Sequence, residues 1–395
     1  MWFHFCTANH NQIGRSTLND MYDWFHAGLL DLGHKVTFSE SQVEPGAINL
    51  FWEYFTQGMA EEIKKTGVVY GIIATEIPDD IGGFNWREEP EWKERFAYFH
   101  EVASGSSFIW TMVESTVPYY SQFCPTAFIE LGFSERLIPS YINHIPEFDF
   151  TFFGLRTPYR IKVAERLQRY AGVEWPEKFL TPHQVGSLIA KTRVGLNFKQ
   201  SEHWPIPSPT RLGRFMMAKR DVASEATLIP TRQGQIIGMC PNGIDFVDFA
   251  LNRLNSNWQE RAENTFDEYR KKIRMRDVFE KVLSKTIESI DTSKLIKVKE
   301  KSIKHIRQPE LIKTIANWNI VCWNDEYFAL LRGAGSVDVR SGIQHLKSVC
   351  GTHSVHFAYS LAELEDKLKN PNRRFQRYGG LIMNFIRSLF KFRKI

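Results

Sequence analysis

Short apolar runs alternate with helix-length amphipathic segments over the first 130 residues or so, and this alternation limits what the chain can fold into. A strand that rejoins its sheet in parallel needs a crossover, and a helix supplies it, so the pattern implies a doubly wound parallel sheet. The run MWFHFCT (1–7) reads as the first strand and leads straight into folded structure, without the basic start and long apolar stretch of a signal peptide. A polar turn over 8–14 precedes a helix over 16–32, in which Leu18, Met21, Trp24, Phe25, Leu29 and Leu32 recur mostly three or four apart. Gly33 stops that helix. Further strands read at 36–38, 48–52, 67–74, 108–112 and 127–131, with helices at about 55–65 and 91–103.

The pattern then restarts. Residues 148–153 form a strand ending at Gly154, a helix covers 159–170, and a shorter helix closes at Ala190. VGLNF (194–198) is a strand, 211–219 a helix and 221–224 a strand, after which the chain is helical to about 290. A length of 395 residues suits two or three domains at about 100–200 residues each. We expect an N-terminal Rossmann-like domain (1–145) and a second one with bridging helices (146–290), the latter reaching back towards the first. A basic connector carrying Lys294, Lys297, Lys299, Lys301 and Lys304 opens a small accessory α/β module (291–370), with a hairpin across Asn324-Asp325 and a helix at 361–368. A packing or docking role suits that module, and a tail (371–395) ends the chain.

Hydrophobic residues at 43% and charged residues at 24% exclude a largely disordered chain, and no run reaches the roughly 20 apolar residues that span a bilayer. The net charge of +5 belongs to the tail, which holds seven basic residues and no acid; without it the body carries 43 basic against 45 acidic residues. A nucleic-acid binder carries its positive charge on the folded domain, so nucleic acid is not an expected partner. In residues 381–395, Asn384, Arg387, Ser388, Lys391 and Lys394 line one helical face, and Ile382, Phe385, Ile386 and Leu389 the other. Such a helix lies on an anionic membrane surface or docks on the body, and the lack of acids favours the membrane. Five scattered cysteines form no metal spacing and read as reduced cytoplasmic thiols. The expected location is therefore cytoplasmic, peripheral on the inner face of the membrane.

The order of elements in 148–225 (FDFTFFGLRTPYRIKVAERLQRY, then VGLNF, then SPTRLGRFMMAKRDVASE) resembles the nucleotide-sugar-binding half of GT-B glycosyltransferases, especially a bacterial surface-polysaccharide and spore-coat branch. The resemblance covers residues 148–283; the first half matches only in its alternation. It implies a fold class of α/β, two Rossmann-like domains facing across a cleft (GT-B), and transfer of a sugar from a nucleotide-sugar donor to a glycan or lipid-linked acceptor in surface polysaccharide or glycoconjugate synthesis. No cofactor or metal is expected. Two alternatives stand beside it: a catalytically silent GT-B-like scaffold binding glycan or partner proteins, and a GT-B-fold nucleotide-sugar epimerase.

A nucleotide diphosphate needs donors on loops and helix N-termini at the carboxyl edge of a parallel sheet. Ser208 and Thr210 sit where the helix near Arg211 begins, able to cap it and offer hydroxyls to phosphate. Arg211 and Arg214 share one helical face and could neutralise the diphosphate leaving group, with Lys199 as a third cation. Gly154 makes the turn before a helix that Thr157 caps and Pro158 starts. Many retaining relatives carry a ribose-binding Glu where Arg214 stands, so Glu225 either takes the ribose contact or is a structural carboxylate, and retention or inversion is not fixed. The base pocket is expected around Phe179, Leu180 and Thr181.

Acceptor activation needs a carboxylate or imidazole near the cleft. Glu76, after GVVYGIIAT and before the polar loop with Asp79, Asp80 and Asn85, and His10, in the loop after the first strand, rank ahead of Glu53 at the end of the third. Each also has a plain reading: Glu76 as a loop cap, His10 as a solvated loop residue, Glu53 as a carboxylate facing water. No nucleophile elbow, phosphate loop, zinc helix or dinucleotide fingerprint is present.

Overall fold

The computed structural model describes residues 1–7, 12–39, 42–139, 145–178, 180, 182–288, 290, 309–323, 326–333, 339, 343, 346–347, 350–358 and 360–369. His10, Phe179, Thr181, the lysine connector and the basic tail lie outside them.

The first domain is built on six strands: β1 (Trp2–Cys6), β2 (Lys35–Ser39), β3 (Ile48–Trp52), β4 (Tyr70–Ala74), β5 (Phe108–Thr111) and β6 (Thr126–Phe128). They pair in the order β2-β1-β3-β4-β5-β6, every pair parallel. Helices α1 (Gln12–Asp31), α2 (Met59–Thr66), α3 (Pro90–Ala103) and α4 (Val117–Tyr120) complete it. All five residues of β3 and of β4 are buried, as in strands covered on both faces. Side chains alternate accordingly: Leu50, Trp52 and Trp110 join one core, Phe51, Ile72 and Ile109 the other. The fourth strand starts at Tyr70 rather than 67, because Gly67 takes a left-handed conformation (φ 64°) as the cap of α2.

The second domain has four parallel strands, β7 (Phe148–Thr151), β8 (Val173–Glu174), β9 (Thr192–Asn197) and β10 (Asp221–Ser224), in the order β10-β9-β7-β8. The two-residue β8 is too short to leave a periodic signal in the sequence. Around the sheet lie α5 (Pro158–Gln168), α6 (Pro182–Ala190), α7 (Pro209–Met217), α8 (Arg232–Ile237), α9 (Phe246–Asn255) and α10 (Trp258–Lys272).

The last helix of this half, α11 (Met275–Thr286), packs in the first domain. Met275, Phe279, Val282 and Leu283 belong to the core that β1, β3 and β5 build, and Trp110 Nε1 donates to Thr286 Oγ1 at 3.0 Å. The crossing is close: a Cβ on Gly28 of α1 would stand 2.4 Å from the Phe279 ring. The two halves therefore form the facing pair of Rossmann-like domains of the GT-B arrangement, tied by a helix from one in the core of the other.

The accessory module is a four-stranded antiparallel sheet, β11 (Glu310–Ile315), β12 (Trp318–Trp323), β13 (Glu326–Leu331) and β14 (Val355–Ala358), with a helix Leu361–Lys369. The hairpin strands pair Trp323 with Glu326, and Asn324 and Asp325 between them lie outside the described residues. Among the described residues no helix is long and apolar enough to cross a membrane.

Candidate active site

Between the carboxyl ends of the two sheets lies a cavity of about 650 Å³. The first domain supplies Thr75 and Glu76 after β4, Met112 and Val113 after β5, and Asn85 and Trp92; the second supplies Phe153 to Arg156 after β7 and Ser208 to Arg211 at the start of α7. This is the crevice in which open α/β sheets bind ligands.

Arg211 and Arg160 are the two buried cations of its wall, and Arg211 stands at the start of α7. Its side chain enters from the first turn of α7, only 6% of the residue is exposed, and the guanidinium lies over the Phe152 ring at 4.5 Å. Nε donates to the Phe153 carbonyl at 3.0 Å and Nη1 to Asn197 Oδ1 at 2.7 Å. Asn197 in turn donates to Ser224 Oγ at 2.9 Å, which fixes the strand-end side chain that fixes the arginine. Beside it Gly154 adopts φ +139°, a conformation L side chains rarely take. Ser208 occupies the N-cap of α7 but makes no side-chain cap bond; its hydroxyl lies 3.3 Å from that of Thr210. The cavity wall thus carries a helix N-terminus, two hydroxyls and a held guanidinium, a constellation suited to an anion.

The other cations and carboxylates expected on this side stand elsewhere. Lys199 turns its Nζ to the Glu202 carbonyl at 2.8 Å and is not part of the cavity wall. Arg214 points across to the first domain, 3.9 Å from Asp23 of α1 and above the Trp24 ring, as one turn of helix beyond Arg211 leads to the domain contact instead of the cleft. Glu225 is buried and accepts from Tyr159 Oη and from the backbone of Lys199, both at 2.6 Å. Burial pushes its carboxyl up, against those two bonds and the nearby Lys199 and Arg160. Both of its oxygens accept bonds from the protein, and Glu225 is not part of the cavity wall. Thr157 does cap α5, accepting from Arg160 N at 3.3 Å, and Leu180 lines the cavity.

Sequence reading did not single out Arg160. It is 7% exposed and donates to the carbonyls of Lys199, Leu155 and Phe198. Burial pushes it down to about 10, opposed by Glu225, so it stays charged while bracing the loops after β7 and β9.

On the opposite wall Glu76 faces the cavity with its side chain 24% exposed. Asn85 Nδ2 donates to Oε2 and Arg95 Nη2 to Oε1 at 3.2 Å, while Tyr120 Oη donates to the Glu76 carbonyl at 2.9 Å. Arg95 stacks over Trp92 at 4.2 Å. Asn85 sits at φ 59°, and its Oδ1 accepts from Ile77 N at 3.0 Å, so the Gly-rich loop folds back to reach Glu76. Asp79 builds that loop, accepting from the backbone of Ile81, Gly83 and Trp86. Glu53 does not face water: it is 5% exposed, beneath Glu76, and accepts from the backbone of Thr75 and Glu76.

No protein-family model matches the chain, and no curated protein matches it either. Solved structures similar to it include trehalose-6-phosphate from E. coli bound with UDP-2-fluoro glucose, at 10% identity over 68% of this chain and 77% of that one, TM-score 0.44. A T4 phage BGT variant in complex with UDP-glucose is 11% identical over 73% and 97%, TM-score 0.44. AviGT4, a glycosyltransferase involved in avilamycin A biosynthesis, is 11% identical over 73% and 97%, TM-score 0.41. Likenesses this distant assign no residue and no substrate; the architecture rests on the two parallel sheets and the cleft between their carboxyl ends.

Proposed function

We propose that the protein is a glycosyltransferase that moves a sugar from a nucleotide-sugar donor, held by the second domain, to a glycan or lipid-linked acceptor, held by the first. One observation carries the reading: Arg211, anchored at the first turn of α7, and Glu76, ionisable and partly exposed, line one cavity from opposite domains. Sugar transfer needs a cation where the diphosphate departs and a base where the acceptor hydroxyl enters. Glu76 takes the hydroxyl proton as the acceptor oxygen bonds to the anomeric carbon and the bond to the diphosphate breaks. Arg211, the α7 N-terminus and the Ser208 and Thr210 hydroxyls hold the released charge, and no metal is assigned to that task.

A neighbouring cavity of about 320 Å³ shares Met112, Val113, Ile206, Pro207 and Pro209 with the first. Its wall mixes apolar side chains, among them Ile129, Leu131 and Val282, with charged ones such as Arg232, Lys281 and Lys285, which suits an acceptor with an apolar part and an anionic link. The seven cations and no acids of residues 371–395 support a station on an anionic membrane surface, and with it a role in surface polysaccharide or glycoconjugate synthesis.

The test is turnover of a panel of nucleotide sugars, followed by mass spectrometry with and without added glycan or lipid-linked acceptors, on wild type, Arg211→Ala and Glu76→Gln. Acceptor-dependent release of one nucleotide, lost in both variants, is the expected result. Turnover without acceptor identifies an epimerase instead, and no turnover of any donor leaves a binding scaffold.

A further inference from the structure

The transfer scheme leaves Glu53 unused. This residue follows β3, and its Oε2 accepts the backbone N–H groups of Thr75 at 2.6 Å and Glu76 at 2.9 Å. Its Oε1 is buried with no hydrogen-bond partner among the described residues. The titratable side chains that face it come from three places: Glu76 after β4, Arg95 on α3, and Tyr119 and Tyr120 on α4. An ionised carboxylate with one oxygen cut off from both water and donors is costly, and a second carboxylate beside it adds repulsion. A neutral acid in the same place is far less so. Glu76 has the opposite surroundings, with a donor on each oxygen, one of them a guanidinium, and an open side towards the cavity.

We propose that Glu53 is a positioning residue that sets both the geometry and the charge of Glu76: the two carboxyl groups hold one negative charge between them, and it rests on Glu76, the partner that meets substrate. Two backbone bonds from a single buried oxygen fix the chain at 75–76, and so aim the Glu76 side chain. Burial first, then the charge of Glu76, push the Glu53 carboxyl up to about 8, against the two backbone N–H groups and Arg95. At neutral pH Glu53 therefore keeps its proton. The inference rests on the transferase reading only for what Glu76 does, not for where the charge lies.

The sign of the pH effect follows. An unperturbed glutamate loses its proton near 4.5, this one near 8, so between those values the folded chain binds one proton more than the unfolded chain. Stability falls as pH rises through that window and levels off above it. Glu53→Gln keeps an acceptor for both N–H groups and cannot ionise, so its melting temperature should gain on wild type from pH 5 to pH 8.

Infrared spectroscopy reads the proton directly. The carbonyl stretch of a neutral carboxylic acid is expected in wild type at pH 6, to disappear as pH passes about 8, and to be missing in Glu53→Gln. In Glu76→Gln, where the neighbouring charge is gone, the band should titrate at lower pH; this arm serves if Glu53→Gln folds poorly. Absence of a band titrating near 8 in wild type, its persistence in Glu53→Gln, or an unchanged midpoint in Glu76→Gln overturns the proposal. Nucleotide binding in the same samples separates the two claims: a missing band with intact binding sinks this inference alone, and a titrating band without binding sinks only the transferase reading.

Discussion

A Cβ placed on Gly154 would stand 2.7 Å from Nη2 of Arg211, so the turn after β7 and the first turn of α7 fit together only because residue 154 has no side chain. The guanidinium cannot simply swing aside, since Nε and Nη1 are committed to the Phe153 carbonyl and Asn197. Gly154→Ala therefore combines backbone strain at φ +139° with a displaced arginine. Titration calorimetry should show nucleotide diphosphate affinity reduced about tenfold, or ~1.4 kcal/mol. The melting temperature should fall as well.

Asn197 is a second handle on the same arginine. Its Oδ1 accepts from Arg211 at 2.7 Å and from the Ser208 backbone at 3.4 Å, linking the end of β9 to the start of α7. Asn197→Ala removes both bonds in a buried place, a loss of about 1–3 kcal/mol. Nucleotide affinity should drop together with stability, whereas Lys199→Ala, which alters a side chain outside the cavity wall, should leave affinity within about twofold.

Glu76→Gln keeps the shape and removes the base. Turnover with acceptor should fall by a factor of about 10² to 10⁴. Donor affinity should stay near wild type, because the diphosphate cradle lies on the other domain. A matching loss of donor affinity would move Glu76 out of the role of base.

The return of α11 predicts a stability effect far from the cleft. Phe279 is fully buried among Phe25 and Trp110, with ring centroids 5.6 and 5.5 Å away. Phe279→Ala should cost about 3–5 kcal/mol. Chemical denaturation followed by tryptophan fluorescence should register it in the unfolding of the first domain, although residue 279 follows the whole second sheet in the chain.

Legibility in the sequence tracked how local each feature is. Strands β3 and β10 and helix α3 announce themselves because apolar periodicity is a short-range property, and the restart after Pro146 marks the second sheet. Gly154, Ser208, Thr210, Arg211 and Glu76 were readable as wall residues because each follows a strand or opens a helix at a sheet's carboxyl edge. Arg214 and Lys199 carry the same charge at neighbouring positions, yet one meets Asp23 and the other the Glu202 carbonyl. Which way each points depends on the domain contact and the loop path, and neither leaves a mark in local spacing. Glu53 was undervalued for a similar reason: a carboxylate at a strand end looks solvated until the loop that holds Glu76 and the helix that holds Arg95 close over it.

The central claim is that Arg211 holds the diphosphate of a nucleotide, and thermal shift tests it most directly. UDP, GDP, CMP and ADP would be titrated against wild type and Arg211→Ala, since a ligand bound only by the folded state raises the melting temperature as its concentration exceeds the dissociation constant. The account predicts a concentration-dependent rise for one diphosphate in wild type that Arg211→Ala abolishes. No rise with any nucleotide, or an equal rise in the variant, would contradict it.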